Sequence, residues 1–235
     1  MATGSRMLVL AVATAAVCAS CALSAPASAR TIVLGRSWQG RPIVAVEVGN
    51  PVGEPVLVVG SIHGNEPGGI PVAKALERLH PADLDLWIIP DLNPDGAAAR
   101  TRHNARGVDL NHNFPVGWHP MSGFYAAGPR PLSERESRIA RALILRIHPR
   151  LTIWFHQHLD LVWAAGGSHR IEKVFARVSR LPYRPLPRLN GTSVTWENHT
   201  FPKATAFAAE LHAGTPSASA VSRYVHAVIA AAHAS

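Results

Sequence analysis

Apolar and polar positions follow one another along the chain in patterns typical of strands and helices. Apolar runs, continuous or alternating, predict strands at residues 31–34, 43–48, 56–59, 84–89, 151–155 and 204–211. Apolar residues at helical spacing predict helices at residues 70–79, 133–147, 171–181 and 217–234. The first helix lies between two apolar strands, which predicts a βαβ unit and a partly parallel sheet. We therefore expect a single α/β domain with a mixed, mostly parallel central sheet and helices on both faces.

Polar residues set the limits of these elements. Ser133, followed three residues later by Glu136, is typical of a capping box at the start of a helix. Residues 97–123 and 191–202 are polar and lack a clear apolar period, so we predict two loops there. A loop as long as the first is usually functional in a compact domain.

Residues 1–29 differ from the rest of the chain. A single charge, Arg6, precedes an apolar run from residue 7 to residue 17, and Ala27-Ser28-Ala29 follows. This pattern is typical of a signal peptide that is cleaved after Ala29. A membrane anchor is the competing interpretation, but the apolar core is short for a membrane span. We expect residues 30–235 to be an exported domain, either secreted or associated with the cell envelope, without stable membrane insertion after cleavage.

Both cysteines of the chain, Cys18 and Cys21, lie in this leader. A lipid anchor on Cys21 is disfavoured, because Cys18 stands where such signals usually carry leucine. The mature domain would have no disulfide, no cysteine nucleophile and no cysteine-ligated metal.

The formal net charge of the chain is +8. The basic residues are mostly arginine and are scattered without a basic run, so we predict no nucleic-acid partner. Attraction to an anionic cell envelope is one consequence of this charge. An arginine-rich composition with no partner implied is the alternative.

A glycine-rich segment after the predicted strand at residues 56–59 carries candidate metal ligands. His63 and Glu66 lie three residues apart in it, and both side chains suit Zn²⁺. A catalytic zinc site needs a third protein ligand and an open position for water. His156 is the favoured third ligand because it directly follows the predicted strand at residues 151–155, and ligands gather at the carboxyl ends of strands. His158 is its rival, since residues two apart on a strand share a face.

A general base is also needed to activate water. Glu210 follows the apolar positions of the predicted strand at residues 204–211, where a carboxylate could accept a proton. A surface carboxylate at a strand end is the alternative interpretation of Glu210.

Five segments of the chain resemble the zinc carboxypeptidase family in order and spacing, and its short bacterial branch with murein peptide amidases is the nearer resemblance. They are residues 60–67 (GSIHGNEP), 93–96 (NPDG), 107–115 (GVDLNHNFP), 153–157 (IWFHQ) and 207–214 (FAAELHAG). The resemblance implies one zinc per chain, with His63, Glu66 and His156 as ligands and Glu210 as general base. It also implies an arginine that stabilises the oxyanion, for which Arg102 is the best match and Arg100 and Arg106 are alternatives.

The chain departs from the family at the pair Asn111-His112. The family has Asn-Arg there, and that pair grips the terminal carboxylate of the substrate. Histidine has fewer donors and is only partly charged near neutrality. We therefore expect Asn111 and His112 to bind substrate, with Arg106, Arg100 or Arg130 supplying the lost charge, or else a substrate that presents no carboxylate there.

Other polar and aromatic residues have less specific interpretations. For Asp91, Asp95 and Asp109, turn capping and hydrogen bonds to ligands are favoured over metal binding. The mobile tyrosine that contacts substrate in the family has no clear match, since neither Tyr183 nor Trp196 fits its pattern.

The combined prediction is an exported, monomeric zinc-dependent metallocarboxypeptidase or peptide amidase. It would hydrolyse an amide bond of a short peptide, for which a cell-wall peptide is the leading hypothesis. Two alternatives stay open. One is a zinc deacylase of N-acyl amino acids, similar to the succinylglutamate desuccinylase and aspartoacylase group. The other is an inactive wall-binding protein of the same fold, an interpretation prompted by His112.

Overall fold

The computed structural model describes residue 1 and residues 29–235. The predicted signal peptide lies outside the described residues, apart from Met1 and Ala29, so its cleavage stays a prediction. Within residues 29–235, none of the helices has the length and apolar character needed to cross a membrane.

Within the described part of the chain, eight strands form one mixed sheet. They are β1 (Arg30–Arg36), β2 (Pro42–Gly49), β3 (Glu54–Val59), β4 (Leu84–Ile89), β5 (Leu151–Gln157), β6 (Leu161–Ala164), β7 (Tyr183–Pro185) and β8 (Thr205–Leu211), in the order β1-β2-β4-β3-β5-β8-β6-β7. The pairs β3–β4, β3–β5, β5–β8 and β6–β7 are parallel, whereas β1–β2, β2–β4 and β6–β8 are antiparallel. The predicted βαβ unit and the mixed, mostly parallel sheet are confirmed.

Helices cover both faces of the sheet, as predicted. The described residues form six α-helices: α1 (Gly69–Leu76), α2 (Pro94–Ala99), α3 (Arg135–Ile147), α4 (His169–Ser179), α5 (Ser193–Thr200) and α6 (Ala218–Ala232). Helices α1, α4 and α6 contribute to one apolar core, and α3 and α5 contribute to the core on the other face. Two short 3₁₀ helices lie at Leu110–His112 and Gly123–Tyr125.

The central strands are apolar on both faces because helices cover both faces. All six residues of β4 are buried, as are the last four residues of β3. Parallel strands buried in this way have continuous apolar runs. The carboxyl end of β3 leads into the loop of His63 and Glu66, and His156 lies near the carboxyl end of β5.

Two predicted loops contain helices. Residues 191–202 were predicted to be a loop, but α5 occupies most of them and Thr192 caps it, with Thr192 Oγ1 accepting a hydrogen bond from Thr195 N at 3.3 Å. The first predicted loop contains the end of α2 and the first 3₁₀ helix, and its last residue, Gly123, begins the second 3₁₀ helix. The short strands β6 and β7 were missed.

The predicted capping box is wrong. Helix α3 begins at Arg135 with Glu134 as its N-cap. The hydroxyl of Ser133 donates to Glu134 Oε1 at 2.7 Å instead of capping the helix. Glu136 accepts hydrogen bonds from Trp38 N at 3.0 Å and Asn104 Nδ2 at 3.2 Å. Its carboxylate is therefore bound by residues distant in sequence and does not cap the helix.

Candidate metal centre

Three predicted ligands come together at the carboxyl ends of neighbouring strands. Strand β3 leads into the loop of His63 and Glu66, and β5, which carries His156, is paired with it in parallel. One ligand atom from each residue lies within 4.8 Å of the other two, and all three residues are buried. Glu66 Oε2 lies 2.9 Å from His63 Nδ1 and 3.2 Å from His156 Nδ1.

The donor set of this cluster fits zinc. Two imidazole nitrogens and one carboxylate oxygen form a combination found in catalytic zinc sites, which leave one position open. His158, the rival third ligand, is exposed and is not part of the cluster, although it lines the adjoining cavity. The structure therefore brings together His63, Glu66 and His156.

Asp109 orients His63. The Nε2–H of His63 donates to Asp109 Oδ1 at 3.0 Å, which directs Nδ1 to the cluster. Such a carboxylate beside a histidine ligand fixes the tautomer and increases the basicity of the ring. Burial lowers the pKa of His63, but the hydrogen bonds to Asp109 and Glu66 outweigh burial and raise it overall. Asp109 thus has one of the roles predicted for it, hydrogen bonding to a candidate ligand.

Glu66 is held as a carboxylate. Burial raises its pKa, but hydrogen bonds from His156 and His63 outweigh that effect and bring the pKa well below its usual range. Arg102 Nη1 also donates to Glu66 Oε1, at 2.9 Å. An ionised carboxylate is the form that binds a metal ion.

Arg102 lies beside the cluster and lines the cavity. Its Nε donates to Asp109 Oδ2 at 2.8 Å, so the guanidinium joins Asp109 to Glu66. The guanidinium carbon lies 4.5 Å from the centre of the Phe124 ring, within the range of a cation–π interaction. The guanidinium of Arg102 is therefore held next to the three ligand atoms by Asp109, Glu66 and Phe124.

Glu210 lies one strand away from His156. The two residues are register partners in the parallel pair of β5 and β8, and Glu210 is only 8% exposed. Its Oε2 accepts a hydrogen bond from Leu159 N at 3.4 Å, and the side chain lines the cavity. Glu210 is therefore a buried carboxylate that lines the same cavity as the candidate ligands, rather than a surface carboxylate.

Asn111 and His112 line the same cavity. Asn111 Oδ1 accepts from Ser193 Oγ at 2.9 Å and from Ser193 N at 3.3 Å, which orients the amide. His112 Nδ1 donates to Asn190 O at 3.3 Å. Burial lowers the pKa of His112, which favours a neutral ring near neutral pH.

The arginines that could replace the missing charge lie elsewhere. Arg106 does not line the cavity: its Nε lies 3.5 Å from Glu134 and its guanidinium lies over the Trp38 ring at 4.6 Å. The prediction that Arg106 binds substrate is not supported by this position. Arg100 and Arg130 are exposed and do not line the cavity either.

Several aromatic and apolar residues of the cavity were missed from the sequence. Phe124 and Tyr125 are exposed at the cavity and lie within a 3₁₀ helix, and Tyr125 packs edge-on against His112. The available signal was an aromatic pair directly after the predicted polar loop. Tyr183 lies on β7 beside His169, and Trp196 is buried against Phe114, so neither faces the cluster.

The cavity has a volume of about 460 Å³. Part of its lining is polar and includes the three candidate ligands, Arg102 and Glu210. The rest of the lining is largely apolar and includes Trp163, Ala165, Leu189, Val194 and Ala208. A volume in this range suits a small ligand or a few residues of a peptide.

Comparison with known proteins identifies the family. The family model described as "Zinc carboxypeptidase" matches residues 14–174, which is more than half of the chain. The chain belongs to the zinc carboxypeptidase family, and the predicted resemblance is confirmed. Members use one zinc ion, and the cluster of His63, Glu66 and His156 is able to hold it.

Individual relatives agree with this family. Murein peptide amidase A of Escherichia coli K12 is 31% identical over 143 residues, covering 54% of this chain and 59% of that protein. Carboxypeptidase SOL1 of Arabidopsis thaliana is 32% identical over 111 residues, covering 40% and 23% respectively. The chain thus matches about three fifths of the length of the bacterial relative and less of the plant one.

Solved structures show the same fold. The murein-tripeptide amidase MpaA of Escherichia coli O157 superposes with a TM-score of 0.69 at 24% identity, covering 84% of this chain and 89% of that one. Carboxypeptidase A of Helicoverpa armigera superposes with a TM-score of 0.74 at 19% identity, covering 88% of this chain and 69% of that one. The predicted zinc carboxypeptidase-like fold is confirmed.

Proposed function

We propose that this chain is a zinc-dependent peptidase that hydrolyses an amide bond of a short peptide. The observation that carries the proposal is the arrangement of the candidate ligands His63, Glu66 and His156 in one cavity with Glu210 and Arg102. When bound, zinc supplies a Lewis acid that polarises the scissile carbonyl and increases the acidity of water.

Glu210 is the proposed general base. Its carboxylate faces the cavity one strand from His156, so it can accept a proton from the attacking water. The same carboxyl group can then deliver that proton to the leaving nitrogen, and the base is regenerated. General acid–base catalysis of this kind typically contributes about 10²–10⁴ in rate.

Arg102 is the proposed electrostatic partner of the carbonyl oxygen. Its Nε and Nη1 hold Asp109 and Glu66, which fixes the guanidinium before substrate binds. A fixed cation beside an oxygen that gains negative charge stabilises the transition state more than the ground state. Nη2 has no hydrogen-bond acceptor among the described residues and is the group we assign to that oxygen.

Asn111 and His112 are the proposed contacts for the part of the peptide that leaves. The amide oxygen of Asn111 is engaged by Ser193, which leaves its Nδ2 as a donor. His112 donates its Nδ1–H to Asn190 O, and its ring is neutral. It therefore cannot form the ion pair that an arginine would form with a carboxylate. The site therefore favours a substrate with an amide or another neutral polar group at this position.

We further propose that the substrate is a cell-wall peptide and that the protein acts outside the cytoplasm. Two of the similar proteins are described as a murein peptide amidase and a murein-tripeptide amidase, which supports a peptide of this class. The pattern of residues 1–29 supports export, and the formal charge of +8 suits an anionic cell envelope.

The test compares zinc content and hydrolysis in the same samples. The purified full chain is assayed beside the double variant Glu66→Gln, His156→Ala and the single variant Glu210→Gln. The substrates are cell-wall peptides, other short peptides and N-acyl amino acids. We expect about one zinc per native chain and peptide hydrolysis, both lost in the double variant, whereas Glu210→Gln keeps zinc and loses hydrolysis.

Other outcomes would change the proposal in defined ways. Hydrolysis of N-acyl amino acids without peptide hydrolysis would favour the deacylase alternative. Zinc binding without hydrolysis of any substrate class would favour an inactive wall-binding protein. A native chain that binds no zinc under conditions that do not strip metal would overturn the proposed function.

A further inference from the structure

Gln157 joins three segments of the chain next to the metal centre. It is the residue after His156, and its Oε1 accepts a hydrogen bond from Gly68 N at 2.8 Å. Its Nε2 donates to His212 O at 2.6 Å and to Gly214 O at 2.7 Å. One side chain therefore connects β5, the start of α1 and the segment after β8.

The orientation of this amide is fixed by its partners. Two carbonyl oxygens lie at one end of the amide and one backbone N–H lies at the other, so only one assignment of oxygen and nitrogen satisfies all three contacts. Both protons of Nε2 and one lone pair of Oε1 are used. A side chain satisfied in this way has little freedom to rotate.

Each of the connected segments carries a residue of the proposed site. Gly68 lies two residues after Glu66, and His212 lies two residues after Glu210. The backbone N of Gln157 also donates to Glu66 Oε2, at 3.2 Å. The side chain thus fixes the ligand loop and the end of β8, which carries Glu210, relative to each other.

Gly68 fits closely against this amide. A Cβ atom at Gly68 would lie 2.6 Å from Gln157 Cδ, and the three heavy atoms nearest to it all belong to the Gln157 side chain. An alanine at position 68 would therefore displace this side chain before any other group.

We propose that Gln157 is a positioning residue that fixes the ligand loop relative to Glu210. This inference rests on the proposed function, since it concerns the same ligands and the same base. Loss of the amide contacts frees the loop of Glu66 and the end of β8 separately, so both metal retention and the chemical step weaken. Gln157 lines the cavity, but both protons of its Nε2 are donated to backbone oxygens and its Oε1 accepts from Gly68 N, so we expect KM to change less than kcat.

The test uses variants that remove the amide or displace it. Gln157→Met keeps the length of the side chain without its hydrogen bonds, and Gln39→Met is the matched control at an exposed glutamine. We measure the rate of zinc loss to a chelator, kcat and KM, with circular dichroism to establish folding. In Gln157→Met we expect zinc to dissociate about 10–100-fold faster and kcat to fall by a similar factor, because partners behind metal ligands have effects of this size. KM should stay within about twofold of the native value, and Gln39→Met should match the native chain.

A double-mutant cycle separates positioning from general stability. Gly68→Ala alone should accelerate zinc loss about tenfold or more, because it displaces Gln157. In a Gln157→Ala background the same change should add less than about twofold, because the displaced side chain is gone. If the Gln157 variants do not fold, Gly68→Ala alone remains as the test, because it displaces the Gln157 side chain without removing it.

Two results would overturn the inference. Unchanged zinc loss and kcat in Gln157→Met, or additive effects of Gly68→Ala and Gln157→Ala, would overturn it while leaving the proposed function intact. A native chain without zinc would overturn the proposed function and this inference together.

Discussion

His156 and Glu210 are register partners on the parallel strands β5 and β8, so a candidate metal ligand and the proposed base lie side by side. Neighbouring strands are about 4.8 Å apart, and paired residues point to the same face of the sheet. The spacing between ligand and base is therefore set by backbone hydrogen bonds of the sheet rather than by a flexible loop. Precision of this kind suits a proton transfer, which needs hydrogen-bond distances.

Glu210→Gln should abolish most hydrolysis without releasing zinc. The amide keeps the shape of the side chain but cannot accept the proton of water, so kcat should fall by about 10²–10⁴. Steady-state kinetics and metal analysis on the same preparation test this. Glu54→Gln, at an exposed position on β3, is the matched control. A kcat close to the native value would remove Glu210 from the mechanism.

Asp109→Asn should weaken zinc binding. Asp109 Oδ1 accepts from His63 Nε2, and Oδ2 accepts from Arg102 Nε. An asparagine can serve only one of these donors and turns its NH₂ group toward the other. We expect zinc affinity to fall about 10–100-fold, as measured by competition with a chelator. The control variant Asp83→Asn, at an exposed aspartate, should leave zinc affinity unchanged. A zinc affinity of Asp109→Asn equal to that of the native chain would contradict the role assigned to Asp109.

His112→Arg should change which peptide ends are accepted. The new guanidinium could form a bidentate ion pair with a terminal carboxylate, which neutral His112 cannot form. We expect kcat/KM for a peptide with a free carboxylate, relative to its amide, to rise about tenfold or more. Asn111→Ala is the comparison, since it should weaken binding of both peptides. If His112→Arg leaves the ratio of the two kcat/KM values unchanged, position 112 does not face the terminal carboxylate of the peptide.

Glu197→Gln should alter how stability depends on pH. Burial raises the pKa of Glu197 to about 7, although hydrogen bonds from Thr152 and Trp154 oppose the shift. The folded chain therefore holds a proton that the unfolded chain releases above the ordinary glutamate pKa of 4.5. The stability from this group is fully present below that value and is lost as pH rises toward and through about 7.

Urea unfolding at several pH values measures this effect. The native chain should lose free energy of unfolding between about pH 4.5 and pH 7, by a few kcal/mol at most from this residue, and Glu197→Gln should lose less. The free energy of unfolding of Glu197→Gln minus that of the native chain should therefore increase as pH rises. Parallel curves for the two chains would show that folding does not raise the pKa of Glu197.

The sequence was sufficient where its local pattern reflected the final environment. The apolar run of β4, interrupted only by Asp85, is buried on both faces. His63, Glu66 and His156 lie beside or at the end of such runs, so these strands and this cluster could be predicted. Helix α5 could not, because Ser193, Thr195, Glu197 and Asn198 are polar and yet buried, which hides its apolar period. Partners distant in sequence bind some of these side chains, such as Thr152 and Trp154, which donate hydrogen bonds to Glu197.

Long-range contacts also determine the positions of other side chains. Glu136 matched a local capping pattern, but Trp38 and Asn104 occupy its carboxylate. Arg106 was a plausible substrate contact by its position in the chain, but Glu134 and Trp38 hold its side chain away from the cavity. The three contacts of the Gln157 side chain likewise join residues far apart in sequence, so no local sequence pattern predicts them.

The ligand cluster joins residues that are 93 positions apart in the chain, His63 and His156. They meet only when the central strands of the sheet have assembled, so the unfolded chain has no comparable site. By thermodynamic linkage, an ion that binds only the folded chain stabilises it by an amount that grows with ion concentration. Chelation should then lower the melting temperature, and added free zinc should raise it in proportion to the logarithm of its concentration once the site is saturated.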